Sequence, residues 1–281
     1  MAFDFSQFLQ QVDPLDEYDI ERLNGGLVNI TIRAKKYARS TSSDDPGLFP
    51  GHSSLILKYA PPYIAAVGES APFSQYRQVI EARALEFLAS NEDILAAQRN
   101  CRVSIPKLLY MDIEQHVLVL EDLGSDLVIL DEWLAPRPHS GRMEPGSASC
   151  NNVAARVGIF MAALHTLDVS PEVLDTFVNA ATSNLVRNEI VGNIRNQLEQ
   201  FQPLDWDADE VSLAIKTQFE EKGGKDVFSI GDFWTGSILV NADGSNICIV
   251  DWEFAGAGKP LQDMTQLGQR LNLYCFTVPI N

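Results

Sequence analysis

The length, composition and net charge of the chain indicate a folded protein and exclude several classes of partner. At 281 residues the sequence is long enough for two domains or one large one. Hydrophobic residues make up 46% and charged residues 21%, which is ordinary globular usage and excludes a disordered or low-complexity protein. The formal net charge is −17 and no block of lysine or arginine offsets it, so nucleic acid and anionic membrane surfaces are excluded as partners.

The sequence contains no recognisable membrane span, secretion signal or metal-binding cysteine pattern. The longest apolar run, Val157 to Leu167, is interrupted by His165 and is well below the roughly 20 residues that span a bilayer. The first residues lack the basic and the continuously apolar regions of a secretory signal, so a cytoplasmic location is expected. The four cysteines are scattered without CxxC spacing, which predicts reduced thiols and neither a zinc site nor a disulfide framework.

The first 120 or so residues predict a small β-rich lobe with one main helix. Alternating apolar residues between Gly-, Ser- and Pro-rich turns predict strands over 18–23, 27–35, 53–59, 103–111 and 116–120. A short helix is expected over 5–12, and apolar residues at helical spacing predict a longer amphipathic helix over 76–89. The first two strands meet at the turn Asn24-Gly25-Gly26.

The composition changes near residues 122–126, which predicts a lobe boundary and a second, mainly helical lobe. The N-lobe is therefore expected over 1–122 and the C-lobe over 123–281. Residues 136–149 are rich in Pro, Gly and Ser and predict a loop. Helices are expected over 151–167, 171–187, 189–200 and 207–222, with Asn152 and Ser170 as caps. Short β-type runs over 227–230, 238–240 and 247–250 predict a hairpin around the turn 241–244.

Two aspartates flank this hairpin in a pattern that carries chemistry. Asp232 precedes Ser237 by five positions, which is the spacing between the catalytic Asp and the metal-binding Asn of a protein kinase loop. Asp251 ends the returning strand, where phosphotransferases of this architecture hold a carboxylate for Mg²⁺. Either aspartate alone is equally typical of a turn or a helix cap, so only their combination indicates a site.

These residues resemble the aminoglycoside phosphotransferase and choline kinase-like family, whose members are relatives of the protein kinases. The family loop reads His-Gly-Asp, a few residues and Asn, followed by an apolar strand and Ile-Asp-Trp/Phe-Glu. The segments Gly231-Asp232 and Val250-Asp251-Trp252-Glu253 match this pattern, and Gly236-Ser237 follows the Gly-Ser variant of methylthioribose kinase-like members. Ile230 stands where the family has its loop histidine, and Ser237 stands where it has the amide.

The resemblance implies an α+β, bilobal protein kinase-like fold and a nucleotide site between the lobes. Lys58, at the end of an apolar strand, resembles the lysine of the V-A-I-K signature that pairs with nucleotide phosphates. Glu81 would hold this lysine, with Glu86 as the alternative nearer the helix end. The turn residues Asn24, Gly25 and Gly26 would approach the phosphates. The segment that contains Glu121 and Leu123 resembles the family's hinge, where main-chain groups meet the adenine.

The resemblance also implies an activity, namely ATP-dependent transfer of the γ-phosphoryl group to a hydroxyl of a small molecule such as an aminoglycoside, choline or a thiosugar. Asp232 would orient or deprotonate that hydroxyl, while Asp251 and Ser237 would hold Mg²⁺. The acidic balance favours a cationic acceptor, but no residue identifies one, and the oligomeric state is open.

Two alternatives to an active, complete enzyme remain. Ile230 and Ser237 are compatible with a pseudokinase-like binding or scaffold protein that keeps the fold without efficient turnover. After the Asp251-Trp252-Glu253 segment, family members usually continue with further helices. Here only residues 261–276 remain before a terminus that has no helical pattern, so a truncated family member is also expected.

Overall fold

The first half of the chain contains strands and helices in similar proportion, and the second half is mainly helical. The computed structural model describes residues 3–24, 26–39, 47–135, 146–200, 207–220 and 226–277. The elements up to residue 134 are α1 (Phe5–Val12), β1 (Asp16–Arg22), β2 (Ile30–Arg39), β3 (Ser54–Tyr59), α2 (Arg77–Ser90), α3 (Glu92–Cys101), β4 (Val103–Ser104), β5 (Leu108–Asp112), β6 (Val117–Glu121), β7 (Val128–Ile129) and α4 (Leu130–Leu134). The elements from residue 147 onward are α5 (Ser147–His165), α6 (Pro171–Asp175), α7 (Ala180–Leu185), a π-helical turn (Val186–Val191), α8 (Ile194–Glu199), α9 (Ala208–Glu220), β8 (Val227–Ser229), a 3₁₀ turn (Thr235–Ser237), β9 (Ile238–Val240), β10 (Ile247–Ile249), β11 (Gly256–Gly258) and α10 (Gln262–Thr277).

The five-stranded antiparallel sheet near the start of the chain has the strand order β1-β2-β3-β6-β5. Successive side chains of a strand point to opposite faces, so Leu55 and Leu57 of β3 share one face with Val117 and Val119 of β6. Helix α1 covers this face, and its Phe8 side chain is 1% exposed. The opposite face of the sheet is thereby left for the rest of the chain.

A second, larger hydrophobic core extends from that opposite face into the helical part of the chain. Leu118 and Leu120 of β6 enter it from the sheet, and Leu85 of α2 covers them. From the other side α5 contributes Phe160, and the fully buried Trp252 follows β10. Because both halves of the chain contribute to one close-packed core, their relative position, and with it the cleft between them, is fixed.

The predicted hairpin consists of β9 and β10, which are the centre of a second sheet with the order β4-β10-β9-β7. Since Ile238 at the start of β9 pairs with Ile249 at the end of β10, the segments that carry Asp232 and Asp251 meet at one end of the hairpin. The predicted strand over 227–230 is not part of this sheet. It forms β8, which pairs with β11.

Two predicted elements of regular structure are wrong for local reasons. The strand expected over 103–111 is two short strands, β4 and β5, because Pro106 between them has no N–H to donate to a ladder. The helix expected over 171–187 ends at Asp175. A new helix starts after Asn179, whose side chain accepts the backbone N–H of Thr182, as an N-cap does.

Cap chemistry also explains an element that the sequence patterns do not predict. Helix α3 begins after Asn91, whose side chain accepts the N–H of Ile94, and it carries Glu92 and Asp93 in its first turn. The predicted cap Ser170 is confirmed by its bond from the N–H of Val173. The predicted cap Asn152 is wrong, because α5 begins at Ser147.

The remaining expectations fall on the helical part and its loops. Helix α8 starts at residue 194, five residues later than expected, because the π-helical turn precedes it. Residues 136–145 of the expected loop lie outside the described residues. The last three residues of that loop, 147–149, belong to α5. Within the described ranges, no helix combines the length and apolar character needed to cross a membrane.

The packing of α1 on the sheet leads to a stability prediction. Phe8→Ala is expected to lower the free energy of unfolding by about 3–5 kcal/mol, because it removes a fully buried aromatic ring and leaves a cavity. Urea denaturation measures the change. Gln10→Ala, on the exposed face of the same helix, is the control and is expected to stay within about 0.5 kcal/mol of wild type. Equal effects of the two substitutions would contradict the packing.

Candidate active site

A cleft between the five-stranded sheet and the hairpin contains two adjoining cavities. The first encloses about 950 Å³ and the second about 780 Å³, counting the open space at their mouths. Both cavities are lined by Gly26, Thr31, Lys58, Trp234 and Asp251. Because the two cavities share these residues, they form one continuous cleft.

Lys58 lies at the boundary of the two cavities and connects three elements. Strand alternation turns its side chain away from α1 and toward the cleft. Its Nζ lies 2.8 Å from Oε2 of Glu81 on α2 and 2.7 Å from Oδ1 of Asp251. Burial lowers the pKa of Lys58, but the charges of Asp251 and Glu81 outweigh burial and hold that pKa above its usual value. Lys58 therefore stays charged although its side chain is only 5% exposed.

Of the two glutamates considered for this lysine, Glu81 is the one in place. Its side chain is 2% exposed and contacts Lys58, whereas Glu86, further along α2, is exposed. Burial raises the pKa of Glu81, and the ammonium of Lys58 opposes that rise. The structure thus brings the predicted pair together.

The turn between β1 and β2 approaches the first cavity from above the sheet. Asn24 and Gly26 line that cavity, while Gly25 lies outside the described residues. A Cβ on Gly26 would lie 2.8 Å from the carbonyl oxygen of Asn29, so only glycine fits this close backbone approach. The predicted turn therefore reaches the cleft with its backbone uncovered by a side chain at position 26.

The segment after β6 forms the far wall of the first cavity. Glu121 and Leu123 both line it, as the predicted hinge requires. Between them Asp122 receives two hydrogen bonds from Arg33 of β2, at 2.7 and 3.1 Å, and Arg33 also donates to the carbonyl oxygen of Gly124 at 2.9 Å. The sequence patterns do not predict this clamp, because a lone arginine on a strand is usually solvated.

Asp232 lines the second cavity, as expected for a residue that meets an acceptor. Burial and the charge of Asp251 raise its pKa. The buried Ser237 does not line either cavity. Its hydroxyl donates to the carbonyl oxygen of Asp232 at 3.2 Å, and its own carbonyl accepts the N–H of Val250 at 3.0 Å. Ser237 thus closes the loop that carries Asp232.

The first turns of α10 hold the Asp232 loop, and sequence reasoning missed these residues. The fully buried carboxylate of Asp263 accepts the N–H groups of Ile230 and Gly231 at 2.9 and 3.0 Å. The same carboxylate lies 2.9 Å from Nε2 of His165 on α5. Gln266, one turn later, accepts the N–H of Phe233. Ile230 is buried, so the loop is anchored through its backbone and needs no histidine side chain at that position.

Asp251 is the side chain best placed to hold a cation. Its backbone has φ of 65°, a left-handed conformation that non-glycine residues adopt mainly at turns and functional sites. Its side chain is 43% exposed in the cleft. Among the described residues no three His, Cys, Asp or Glu side chains cluster as a resident metal site would require. One exposed carboxylate in an open cleft instead suits Mg²⁺, which binds through one or two carboxylates and the phosphates of a substrate.

Comparisons with known proteins give a matching family model and several similar kinases. A family model described as "Phosphotransferase enzyme family" matches residues 60–278. The 4-hydroxytryptamine kinase of Psilocybe cyanescens is 27% identical over an alignment of 258 residues. The match covers 87% of this chain and 65% of that protein. The methylthioribose kinase of Geobacillus kaustophilus is 29% identical over an alignment of 237 residues. The match covers 78% of this chain and 54% of that protein. The chain thus spans between about half and two thirds of the length of these curated relatives.

A solved structure supports the fold. The GDP complex of wild-type aminoglycoside 2'-phosphotransferase-IIIa superposes with a TM-score of 0.53 at 15% sequence identity, covering 95% of this chain and 77% of that one. The predicted α+β, protein kinase-like fold is thereby confirmed.

The buried pair at the centre of the cleft leads to a second stability prediction. Lys58→Met is expected to lower the free energy of unfolding by about 3–5 kcal/mol, because it leaves the Glu81 carboxylate buried without its counter-charge. Combining it with Glu81→Leu is expected to recover most of the loss, since no charge then remains unpaired at this position. Urea denaturation at neutral pH measures both variants. A double variant no more stable than Lys58→Met would contradict the pairing.

Proposed function

The chain belongs to the phosphotransferase enzyme family, and we propose that it transfers the γ-phosphoryl group of ATP to a hydroxyl of a small molecule. The observation that carries the proposal is the convergence of Lys58, from the five-stranded sheet, with Asp232 and Asp251, from the two sides of the hairpin, on one cleft. Phosphoryl transfer requires mainly positioning and charge stabilisation, which such a convergence supplies. A cytoplasmic location, where ATP is available, is part of the same proposal.

The first cavity is the proposed nucleotide site. Its walls include the apolar side chains of Ile56, Leu120 and Leu239, which suit a purine base. Glu121 and Leu123 would meet the base through their main-chain groups, and the turn with Asn24 and Gly26 would cover the phosphates. In this assignment residues 1–122 form the lobe that binds the nucleotide, and residues 123–281 form the lobe that brings the acceptor.

The boundary between the cavities is the proposed phosphate and metal site. Lys58, kept charged by its two carboxylate partners, would neutralise phosphate oxygens. Asp251 would hold Mg²⁺, and Ser237 is the second candidate ligand. Mg²⁺, when bound, would supply positive charge against the negative charge that develops on the transferred phosphoryl group.

The second cavity is the proposed acceptor site. Asp232 would accept a hydrogen bond from the acceptor hydroxyl and orient or deprotonate it. Trp234 and Phe254 provide aromatic surface, and the carboxylates of Asp251 and Glu253 make part of the wall acidic. This lining supports a small acceptor that carries positive charge.

One observation favours a second candidate, a binding or scaffold protein with the same fold. The hydroxyl of Ser237 is engaged with the Asp232 carbonyl oxygen and does not line the cleft, so the predicted second ligand does not face a cation held by Asp251. In such a protein MgATP would raise the melting temperature, but ADP would not form with any acceptor.

Activity measurements separate the two candidates. The wild-type chain is expected to form ADP from ATP in the presence of an acceptor drawn from amino sugars, hydroxylated amines and thiosugars. Asp232→Asn is expected to lower kcat by about 10²–10⁴-fold, because the amide cannot take the hydroxyl proton. MgADP binding, measured by calorimetry as the control, is expected to persist in this variant. Equal rates for wild type and Asp232→Asn with every acceptor would rule out the catalytic assignment.

The pKa of Asp232 leads to a prediction about pH. A base must be deprotonated, so kcat/KM is expected to rise as pH increases through the pKa of Asp232, with a midpoint above the ordinary value of 3.8. Arg270 lowers this pKa, so Arg270→Gln is expected to move the midpoint to higher pH. The exposed Arg99 on α3 provides the control, Arg99→Gln, for the loss of one positive charge remote from the cleft. Identical acid limbs for the two arginine variants would contradict the role of Asp232.

A further inference from the structure

A buried hydrogen bond joins the turn between β1 and β2 to the segment that follows Asp251. Nδ2 of Asn29 donates to Oε2 of Glu253 at 2.6 Å, across 224 residues of sequence. Asn29 is 3% exposed and Glu253 is 5% exposed, yet both contribute to the wall of the second cavity. The contact therefore lies at the floor of the cleft and connects its two sides.

Arg77 fixes the orientation of this contact. The fully buried guanidinium lies at the start of α2, and its Nε donates to Oδ1 of Asn29 at 2.9 Å and lies 3.5 Å from Oε2 of Glu253. It also donates to the carbonyl oxygen of Pro61 at 2.8 Å, which holds it in place. With its oxygen facing Arg77, the Asn29 amide must present its NH₂ group to Glu253. Only one orientation of the amide satisfies both neighbours.

The turn itself is held differently on its two sides. On one side, the N–H groups of Ala65 and Ala66, in the segment between β3 and α2, donate to the carbonyl oxygens of Val28 and Leu27 at 3.1 and 2.9 Å. Toward the other side of the cleft, the side-chain bond of Asn29 to Glu253 connects the turn to the segment that carries Asp251. Because that bond involves a buried carboxylate, losing the donor would leave an incompletely satisfied charge.

We propose that Asn29 and Glu253 are positioning residues that hold the glycine-containing turn at a fixed distance from Lys58 and Asp251. The inference rests on the proposed function, in which nucleotide phosphates lie between these groups. Neither residue needs to touch the reacting atoms. Their hydrogen bond sets how closely the backbone at Gly26 approaches the phosphates, so nucleotide affinity depends on it.

A reversal of the hydrogen bond tests this role. Asn29→Asp keeps an oxygen for Arg77 but replaces the NH₂ donor by a carboxylate that faces Glu253. Glu253→Gln, combined with it, supplies an NH₂ group on the opposite side. The double variant has the same formal charge as wild type and the same pair of groups with donor and acceptor exchanged.

Binding of MgADP, measured by calorimetry, is the first readout. Asn29→Asp is expected to weaken it by about tenfold, which corresponds to about 1.4 kcal/mol, and the double variant is expected to return to within about threefold of wild type. Asn152→Asp, which adds the same charge at an exposed position of α5 that lines neither cavity, is the control for charge alone. Weakening by Asn152→Asp equal to that by Asn29→Asp would overturn the proposal.

Hydrogen–deuterium exchange of the backbone amides of residues 26–31, followed without nucleotide, is the second readout. Exchange is expected to accelerate in Asn29→Asp and to slow again in the double variant. Failure of the double variant to recover both affinity and exchange would overturn the proposal, even if its melting temperature recovers, because the contact would then be structural only. Neither readout requires turnover, so a wild-type chain that binds MgADP but phosphorylates no acceptor would overturn the proposed activity and leave this inference standing.

Discussion

One buried ammonium group, that of Lys58, connects the parts of the molecule that form the cleft. The sheet presents it, α2 supplies Glu81 and the segment after β10 supplies Asp251. Leaving one partner of such a buried pair without the other costs several kcal/mol. The sheet, the helix and the hairpin therefore cannot separate without exposing or unpairing a charge. The geometry of the cleft follows from this electrostatic constraint as well as from the shared hydrophobic core.

The Asp232 loop is also held in place, but by hydrogen bonds from its backbone N–H groups and not by a second ion pair. Asp263 accepts two consecutive N–H groups of the loop, and α10 brings Gln266 to a third. Ile230 is packed in the core, and the side chains that anchor the loop come from the helix that follows it in the chain. A substitution that looks like a defect in the motif is thus compatible with an ordered loop.

Local patterns predict the parts of the site that follow a strand or helix period. Lys58 ends an apolar strand and Glu81 lies on the next helix, and the resemblance to the kinase signature selects both. The strands of the large sheet are predicted to within a few residues, apart from the break at Pro106. The contacts of Arg33 with Asp122 and of Asn29 with Glu253 could not be predicted, because 89 and 224 residues separate the partners and no periodicity relates them. Tertiary structure alone brings them together.

The strongly acidic composition has a local meaning in the cleft. Burial raises the pKa values of Asp232 and Glu253, and the charge of Asp251 raises both further, so these carboxylates repel one another in the cleft. A polyphosphate that enters without a counter-ion would add to this repulsion, because the ammonium of Lys58 is already paired with two carboxylates. A nucleotide that arrives with a divalent cation, or an acceptor with a positive charge, relieves it. The arrangement therefore favours an anionic ligand that binds together with a cation over an anionic ligand that binds alone.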